Sequence, residues 1–115
     1  MVLIGAEGVL ENGGVVNKVG TLTVAACAAA YGKPLYVAAE SYKFARLYPL
    51  HQKDLPIRAT SFEPAIQGPV PLDKSVRLMN PQVDFTPAKF IKLLFTDLGV
   101  LTPSAVSDEL IRLYQ

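Results

Sequence analysis

The sequence of 115 residues carries 11 basic and 10 acidic side chains, a net charge of +1, one cysteine and no tryptophan. This balance creates no field strong enough to indicate a nucleic-acid or membrane partner, and a single cysteine excludes an internal disulfide. Half of the residues are hydrophobic, which predicts one folded domain, or part of one.

The first predicted element is a strand at residues 2–6, where the chain is almost entirely apolar. A strand buried on both faces belongs to a parallel sheet and needs neighbouring strands. We therefore expect the chain to be a piece of a larger fold. No signal peptide precedes this strand, so we expect a cytosolic protein.

A helix is predicted next, at residues 17–31, with Asn17 as its N-cap and Gly32 as the left-handed residue after its end. It is rich in alanine and apolar on every side, which is typical of a buried crossover helix. Residues 35–39 then predict a second buried strand. Strand, helix and strand form a right-handed βαβ unit, so the fold class is α/β, with an open, mostly parallel sheet and crossover helices.

An anion pocket is predicted where a glycine turn meets this helix. Gly13 and Gly14 let the backbone approach a ligand closely, and Asn17 and Lys18 occupy the first helical turn. Lys18 is unfavourable there because the helix N-terminus is already positive, and a bound phosphate would remove the conflict. The alternative is a simply capped helix with a solvated lysine. The spacing matches neither nucleotide-binding glycine motif, so no cofactor is indicated.

Polar residues should line a crevice at the carboxyl ends of the predicted strands, where open α/β sheets bind ligands. Glu7 and Glu11 could form an acid/base pair there, or both could be solvated loop carboxylates. Cys27 lies within the predicted helix and is expected to pack as a small apolar side chain. His51 is the only histidine, which excludes a multi-histidine metal site. The full predicted lining is Glu7, Glu11, Asn17, Lys18, Glu40, Ser41 and Lys43.

The second half of the chain is predicted to be less regular. Residues 49–84 are rich in proline and predict an irregular excursion without catalytic residues. A short helical start at Thr86, a strand at residues 91–95 and a turn at 97–99 should follow. A last helix should be capped by Thr102 or Ser104, with one apolar stripe of Val106, Leu110 and Leu113.

Three segments resemble the carboxyl-terminal domains of the alpha subunits of eukaryotic translation initiation factor 2B: IGAEGVLENGGVVNKVGT, KPLYVAAESYKFARLYPL and LLFTDLGVLTPSAVSDEL. The resemblance departs only at about residues 55–83. It implies a Rossmann-like domain over residues 1–115, incomplete at its amino-terminal end and preceded in that family by a helical domain. It also implies a non-catalytic subunit that regulates the guanine nucleotide exchange factor for initiation factor 2.

The same superfamily includes methylthioribose phosphate isomerases, whose motif resembles GADxxxxNGDxxNKxGT. Asn17 and Lys18 match the isomerase residues that bind the substrate phosphate, which implies that a sugar-phosphate pocket is retained. Glu7 stands where those enzymes carry an acid/base aspartate, and Gly14 stands where they carry a second aspartate. Their catalytic cysteine lies upstream of the motif, and Cys27 does not correspond to it. These differences favour the regulatory subunit, with an aldose–ketose isomerase as the alternative.

The resemblance further implies assembly partners: a second alpha subunit, the other subunits of initiation factor 2B, and initiation factor 2 itself, especially when phosphorylated. Exchange activity belongs to another subunit, epsilon, in that family. We expect residues 91–114 to supply much of the dimer surface because the run is densely apolar around a turn. The predicted anchors are Phe95, Leu98, Val100 and Leu101.

Overall fold

A computed structural model describes residues 1–45, 60–61 and 80–113 of the chain. His51 and most of the proline-rich excursion therefore lie outside the described residues. In chain order the elements are β1 (Val2–Gly5), β2 (Gly8–Leu10), β3 (Val15–Lys18), α1 (Thr21–Ala30), β4 (Leu35–Ala38), β5 (Phe44–Ala45), β6 (Thr60–Ser61), β7 (Asn80–Pro81), β8 (Val83–Thr86), β9 (Leu93–Thr96), β10 (Gly99–Leu101) and α2 (Ala105–Leu113).

The main sheet has the strand order β1-β4-β9-β10. β1, β4 and β9 run parallel, and β10 returns antiparallel to β9 as a hairpin. The predicted βαβ unit is confirmed, because α1 lies in the connection between the parallel strands β1 and β4. The predicted strand at 91–95 is confirmed as β9 two residues further on, and β10 was missed.

A second sheet was not predicted. Its order is β5-β2-β3-β8, with an antiparallel hairpin of β2 and β3 at its centre. This hairpin is inserted between β1 and α1. The hairpin forms because the glycine turn is followed by two β-branched residues, Val15 and Val16, which favour a strand over a helical turn. A third, two-stranded pair joins β6 and β7.

The core lies between the two sheets and the helices. On the inner face of the main sheet, Leu35, Val37 and Leu94 are fully or almost fully buried. Val106 and Leu110 of α2 pack into the same cluster with no exposed surface, as the predicted stripe requires, whereas Leu113 is 45% exposed. The other cluster members are Ala6, Val9, Val15, Ala25, Ala39, Phe44, Ile91 and Leu101.

Helix α1 differs from its prediction at its start and on its surface. It begins at Thr21 rather than at residue 17, and Gly20 is its N-cap. Its end is as predicted, because Gly32 follows with a φ of 66°. Only Thr21, Ala25 and Ala28 are buried, so the helix is covered on one face. The prediction of a helix buried all round was wrong, since alanine fits an exposed helix face as readily as a buried one.

Candidate functional site

The glycine turn is the tip of the β2–β3 hairpin. The N–H of Gly13 donates to the carbonyl of Leu10 at 2.8 Å, and the N–H of Leu10 donates to the carbonyl of Gly14 at 2.9 Å. The side chain of Asn12 accepts the N–H of Gly14 at 2.9 Å. These bonds use the turn's own backbone groups to close the hairpin.

Gly13 and Gly14 approach protein atoms closely. A Cβ on Gly13, which has a φ of +86°, would lie 2.4 Å from the carbonyl oxygen of Pro103. A Cβ on Gly14 would lie 2.7 Å from the Phe85 ring and 2.9 Å from the carbonyl oxygen of Thr86. Both glycines are buried. The close approach that was predicted to serve a ligand is therefore made to β8 and to the segment before α2.

Asn17 and Lys18 lie on strand β3 and not in a helical turn. The prediction of Asn17 as an N-cap was wrong. Successive strand residues point to opposite faces, so the two side chains do not project into the same space. Asn17 is half-buried opposite Asp84 in the β3–β8 ladder, and Lys18 is exposed at the end of the strand.

The N-terminus of α1 is occupied by a side chain that was not predicted to matter. Oδ2 of Asp84 accepts the N–H of Gly20 at 2.9 Å and the N–H of Leu22 at 3.0 Å. Asp84 is 7% exposed, and its Oδ1 is buried without a hydrogen-bond partner, as is Oγ1 of Thr86. The negative charge predicted at this helix end is therefore supplied by the chain itself.

The role of Asp84 was not predicted, because Asp84 is the last residue of the proline-rich segment that was predicted to be irregular. One signal was available, since residues 83–86 alternate between apolar and polar side chains, which indicates a strand. An aspartate on such a strand has few reasons to be there other than pairing with backbone N–H groups or a ligand.

The carboxyl ends of the parallel strands do gather polar residues. Asp97 follows β9, and its carboxylate accepts the N–H of Ser41 at 2.6 Å and the Ser41 hydroxyl at 2.8 Å. These bonds, with the hydroxyl as the larger cause, hold the pKa of Asp97 below its usual value. Sequence reasoning named Ser41 and missed Asp97, which it treated only as part of a turn.

Glu40 lies at the same edge of the sheet, and its carboxylate contacts the nearby residues Tyr42 and Lys43. Its carboxylate is 3.5 Å from Nζ of Lys43. A hydrogen bond from Tyr42, and then the charge of Lys43, lower the pKa of Glu40. Lys43 also stands over the Tyr42 ring at 5.9 Å.

Glu7 and Glu11 are not brought together as an acid/base pair. Glu7 follows β1, is exposed, and donates its N–H to the carbonyl of Val16 at 2.8 Å. Glu11 lies in the hairpin turn after β2. No hydrogen bond or ion pair engages either carboxylate within the part of the chain that the structure describes.

Cys27 is exposed on α1, so its predicted place in the core was wrong. It lines an open apolar groove of about 400 Å³ together with Val24 and Tyr31 of the same helix region and Val2 of β1. In residues 1–45, 60–61 and 80–113, no three His, Cys, Asp or Glu side chains group closely enough to hold a metal ion. No helix in the same residues is long and apolar enough to cross a membrane.

One whole face of the main sheet is uncovered by the described residues. The strand register places Leu3 beside Tyr36, and Phe95 beside Val100. Leu3, Phe95 and Val100 are 55%, 39% and 59% exposed, and the Tyr36 and Phe95 rings lie 5.4 Å apart. We call this surface the open sheet face; its members are Leu3, Gly5, Tyr36, Ala38, Leu93, Phe95 and Val100.

The four predicted interface anchors separate into two groups. Phe95 and Val100 lie on the open sheet face, and Leu98 is 40% exposed at the tip of the β9–β10 hairpin. That tip is held by the Thr96 hydroxyl, which donates to the carbonyl of Gly99 at 2.8 Å and accepts the N–H of Leu98 at 3.0 Å. Leu101 is 9% exposed and belongs to the core, so its prediction as an interface anchor was wrong.

The amino-acid sequence is similar to a known protein family and to two kinds of protein. Residues 1–103 match the family described as the Initiation factor 2 subunit family. The chain is 49% identical to the translation initiation factor eIF2B subunit alpha of Dictyostelium discoideum, over 98% of this chain and 37% of that protein. It is 37% identical to the methylthioribose-1-phosphate isomerase of Desulforudis audaxviator, over 90% of this chain and 30% of that protein.

The fold has solved counterparts as well. The crystal structure of the Pyrococcus horikoshii OT3 translation initiation factor eIF-2B matches with a TM-score of 0.66 and 33% identity, over 88% of this chain and 33% of that one. The predicted α/β fold class is confirmed. The chain spans about a third of the length of the curated relatives that it matches.

Proposed function

Because the chain belongs to the initiation factor 2 subunit family, we propose that it forms part of a non-catalytic, regulatory alpha subunit of the guanine nucleotide exchange factor for eukaryotic initiation factor 2. The observation that carries this proposal is the 49% identity to an eIF2B alpha subunit over nearly the whole chain. The protein acts in the cytosol, in the regulation of translation initiation. Its partners are the other subunits of initiation factor 2B and initiation factor 2, especially the phosphorylated form.

The β9–β10 hairpin supports self-association of the alpha subunit. Phe95, Leu98 and Val100 form an apolar edge that the described residues leave exposed, and a fixed hairpin presents it. Exposed apolar patches rimmed by polar residues are typical of interaction sites. A second copy of the alpha subunit packs against this edge.

The main sheet supports a second part of the proposal, which is that this chain belongs to a larger domain. β1 pairs with β4, and no other described strand lies at its outer edge. Parallel sheets are normally covered on both faces and paired at both sides of a central strand, whereas the open sheet face and the β1 edge are uncovered here. Further segments of the intact protein complete a Rossmann-like domain at its amino-terminal end.

The third part of the proposal is a sugar-phosphate pocket at the end of β3. Asn17 and Lys18 occupy the positions of the isomerase phosphate ligands, and Lys18 is an exposed cation beside the turn that leads to α1. Gly13 and Gly14 contribute by shaping the hairpin that carries β3. The pocket senses a sugar phosphate without converting it and needs no cofactor.

The regulatory role is tested by rebuilding the exchange factor from its subunits with and without the intact protein. Nucleotide release from initiation factor 2 is then measured in the presence of phosphorylated initiation factor 2. The proposal expects inhibition by the phosphorylated form to depend on this subunit. Equal inhibition with and without it would overturn the regulatory role.

An isomerase is the second candidate, and the 37% identity to a methylthioribose-1-phosphate isomerase favours it. The described geometry argues against it. Glu7 is exposed, whereas an acid/base carboxylate at this position needs a partner or burial that tunes it. An aspartate at position 14 would not fit, because its Cβ would lie 2.7 Å from the Phe85 ring.

A further inference from the structure

Helix α1 begins without a cap of its own. Its N-cap, Gly20, has a φ of 107° and no side chain, and its first turn contains no acidic residue. The first N–H groups of a helix have no partners within the helix and need acceptors from elsewhere when they are buried. The segment that leads into α1 therefore relies on another part of the chain.

Asp84 supplies the acceptor from strand β8. Its Oδ2 takes the N–H groups of Gly20 and Leu22 at 2.9 and 3.0 Å, across 64 and 62 positions of sequence. The carboxylate lies at the positive end of the helix and makes charge-assisted bonds there, so this contact takes the place of an N-cap side chain. It joins the second sheet directly to the first turn of α1.

The turn between β3 and α1 is consequently fixed at several points. The Thr21 hydroxyl donates to the carbonyl of Lys18 at 2.8 Å, and the N–H of Val19 donates to the carbonyl of Gln82 at 3.1 Å. Gly20 offers no side chain that could hold the turn. Removal of the Asp84 bonds would therefore loosen the short segment that follows Lys18.

We infer that Asp84 is a positioning residue for the sugar-phosphate pocket proposed above, on which this inference rests. Asp84 stands directly opposite Asn17 in the β3–β8 ladder, and Lys18 follows Asn17 immediately. By binding the N–H groups of Gly20 and Leu22, it fixes the turn that directly follows Lys18, the exposed cation of the proposed pocket. Asp84 does not contact the phosphate itself, since two negative charges would repel each other.

The second oxygen of Asp84 makes this side chain costly to bury. Oδ1 is buried and has no hydrogen-bond partner, and a buried unpaired oxygen costs folding free energy. An apolar side chain would avoid that cost. A carboxylate is favoured at this position where two backbone N–H groups must be held in one place, which is the geometry that the helix start requires.

The test measures the affinity of the intact protein for methylthioribose 1-phosphate by calorimetry, with variants at Asp84 and a matched control. Asp84→Ala removes the acceptor, and we expect affinity to fall by about tenfold or more, the scale of one charge-assisted bond. Thr86→Val is the control, because it removes a neighbouring buried hydroxyl that makes no hydrogen bond to α1. Its affinity should equal that of the wild type.

A conservative variant keeps the test decisive if Asp84→Ala does not fold. Asp84→Glu retains the charge and the acceptor but lengthens the side chain by one methylene, which shifts α1 relative to β8. We expect it to fold and still bind more weakly than the wild type. Circular dichroism at the titration temperature confirms the folded state of each variant, and amide hydrogen exchange at Gly20 and Leu22 reports whether the cap is lost.

The outcomes separate the inference from the function on which it rests. A folded Asp84→Ala or Asp84→Glu protein with wild-type affinity would overturn the positioning role, while the pocket would stand. A loss in Thr86→Val as large as in Asp84→Ala would also overturn it, because any loosening of β8 would then suffice. Absence of binding by the wild type would remove the pocket and the inference together.

Discussion

Gly14 shows how close packing leaves no room for a side chain at one position of the β2–β3 hairpin. In the isomerase motif an aspartate stands at this position, whereas here the backbone of Gly14 lies against the Phe85 ring and the carbonyl of Thr86. The room for a side chain has been taken by packing within the second sheet. Restoring a carboxylate there would require β8 to move, and β8 also carries Asp84.

The packing at Gly14 predicts the effect of a single methyl group. Gly14→Ala should lower the free energy of unfolding by about 1–3 kcal/mol, because its Cβ would meet both a ring and a backbone oxygen. Gly8→Ala in the same hairpin is the control, since its nearest neighbour would lie at 3.9 Å. Urea unfolding of both variants provides the measurement. Equal stability of the two would show that the contact is not tight.

Asp97 and Ser41 give a prediction that depends on pH. The Ser41 hydroxyl is the larger cause of the lowered pKa of Asp97, so Ser41→Ala should raise that pKa towards its usual value. A carboxylate with a lowered pKa in the folded protein contributes stability above its unfolded pKa, of about 3.9, and loses it as the pH falls through the folded pKa.

The pKa of Asp97 is measured by an NMR titration of its carboxyl carbon. Ser104→Ala is the matched control, because that hydroxyl pairs with Thr102 at 3.2 Å and does not contact Asp97. The titration midpoint should move only in Ser41→Ala. An unchanged midpoint in that variant would mean that the bond from the Ser41 hydroxyl does not form in solution.

At the scale of elements, α2 illustrates a pattern that the sequence predicts well. Val106 and Leu110 are fully buried, as their spacing requires, and α2 contacts the end of the second sheet. Leu110→Ala should cost about 2–5 kcal/mol of stability, because it leaves a cavity in the core. Leu113→Ala, at a site 45% exposed, should cost under about 1 kcal/mol.

Thermal and urea unfolding of these two α2 variants distinguish the buried from the exposed position. A small effect of Leu110→Ala would mean that α2 is not docked as described. A large effect of Leu113→Ala would indicate that the end of α2 is covered in solution by another part of the protein or by a partner.

Other elements could be predicted only in part, for physical reasons. The parallel strands β1, β4 and β9 were found because short apolar runs bounded by glycine or polar residues have few other interpretations. The start of α1 was misplaced by four residues, because Asn17 is a good N-cap in isolation but pairs with Asp84 across a ladder that no local pattern reveals. The second sheet was missed for the same reason, since β3 and β8 are distant in sequence.

The geometry of the candidate site was also beyond prediction from local sequence patterns. The sequence singled out Asn17, Lys18 and Glu7 as candidates through their motif, and Ser41 through its place after a strand. It could not show that Asn17 and Lys18 face opposite sides of β3, that Asp84 fills the helix end, or that Leu101 is buried. Each of these facts depends on strand register and long-range packing rather than on local composition.

At the scale of the whole molecule, the described residues leave a continuous apolar surface exposed on one face of the main sheet. The open sheet face carries no charged side chain, and the groove beside β1 is lined mostly by apolar residues. A parallel sheet with one uncovered face is unusual in a free domain. The contacts proposed above, with the rest of the intact protein and with a second copy, would cover the open sheet face.

The hairpin tip predicts where self-association is most sensitive. Leu98→Asp should weaken dimerisation of the intact protein by at least about tenfold, because a charge would be buried at the interface. Val24→Asp, on the exposed face of α1 and 44% exposed, is the control and should leave dimerisation unchanged. Sedimentation equilibrium gives both constants. A fully dimeric Leu98→Asp protein would contradict the proposed interface.

The proposed sugar-phosphate pocket is retained in a subunit that we propose to perform no chemistry. The most direct measurement incubates the intact protein with methylthioribose 1-phosphate and follows binding by calorimetry and the sugar by NMR in the same samples. We predict binding that weakens in Lys18→Ala, with the aldose phosphate left unchanged. Conversion of the aldose phosphate to a ketose phosphate would contradict the account and make the isomerase the better description.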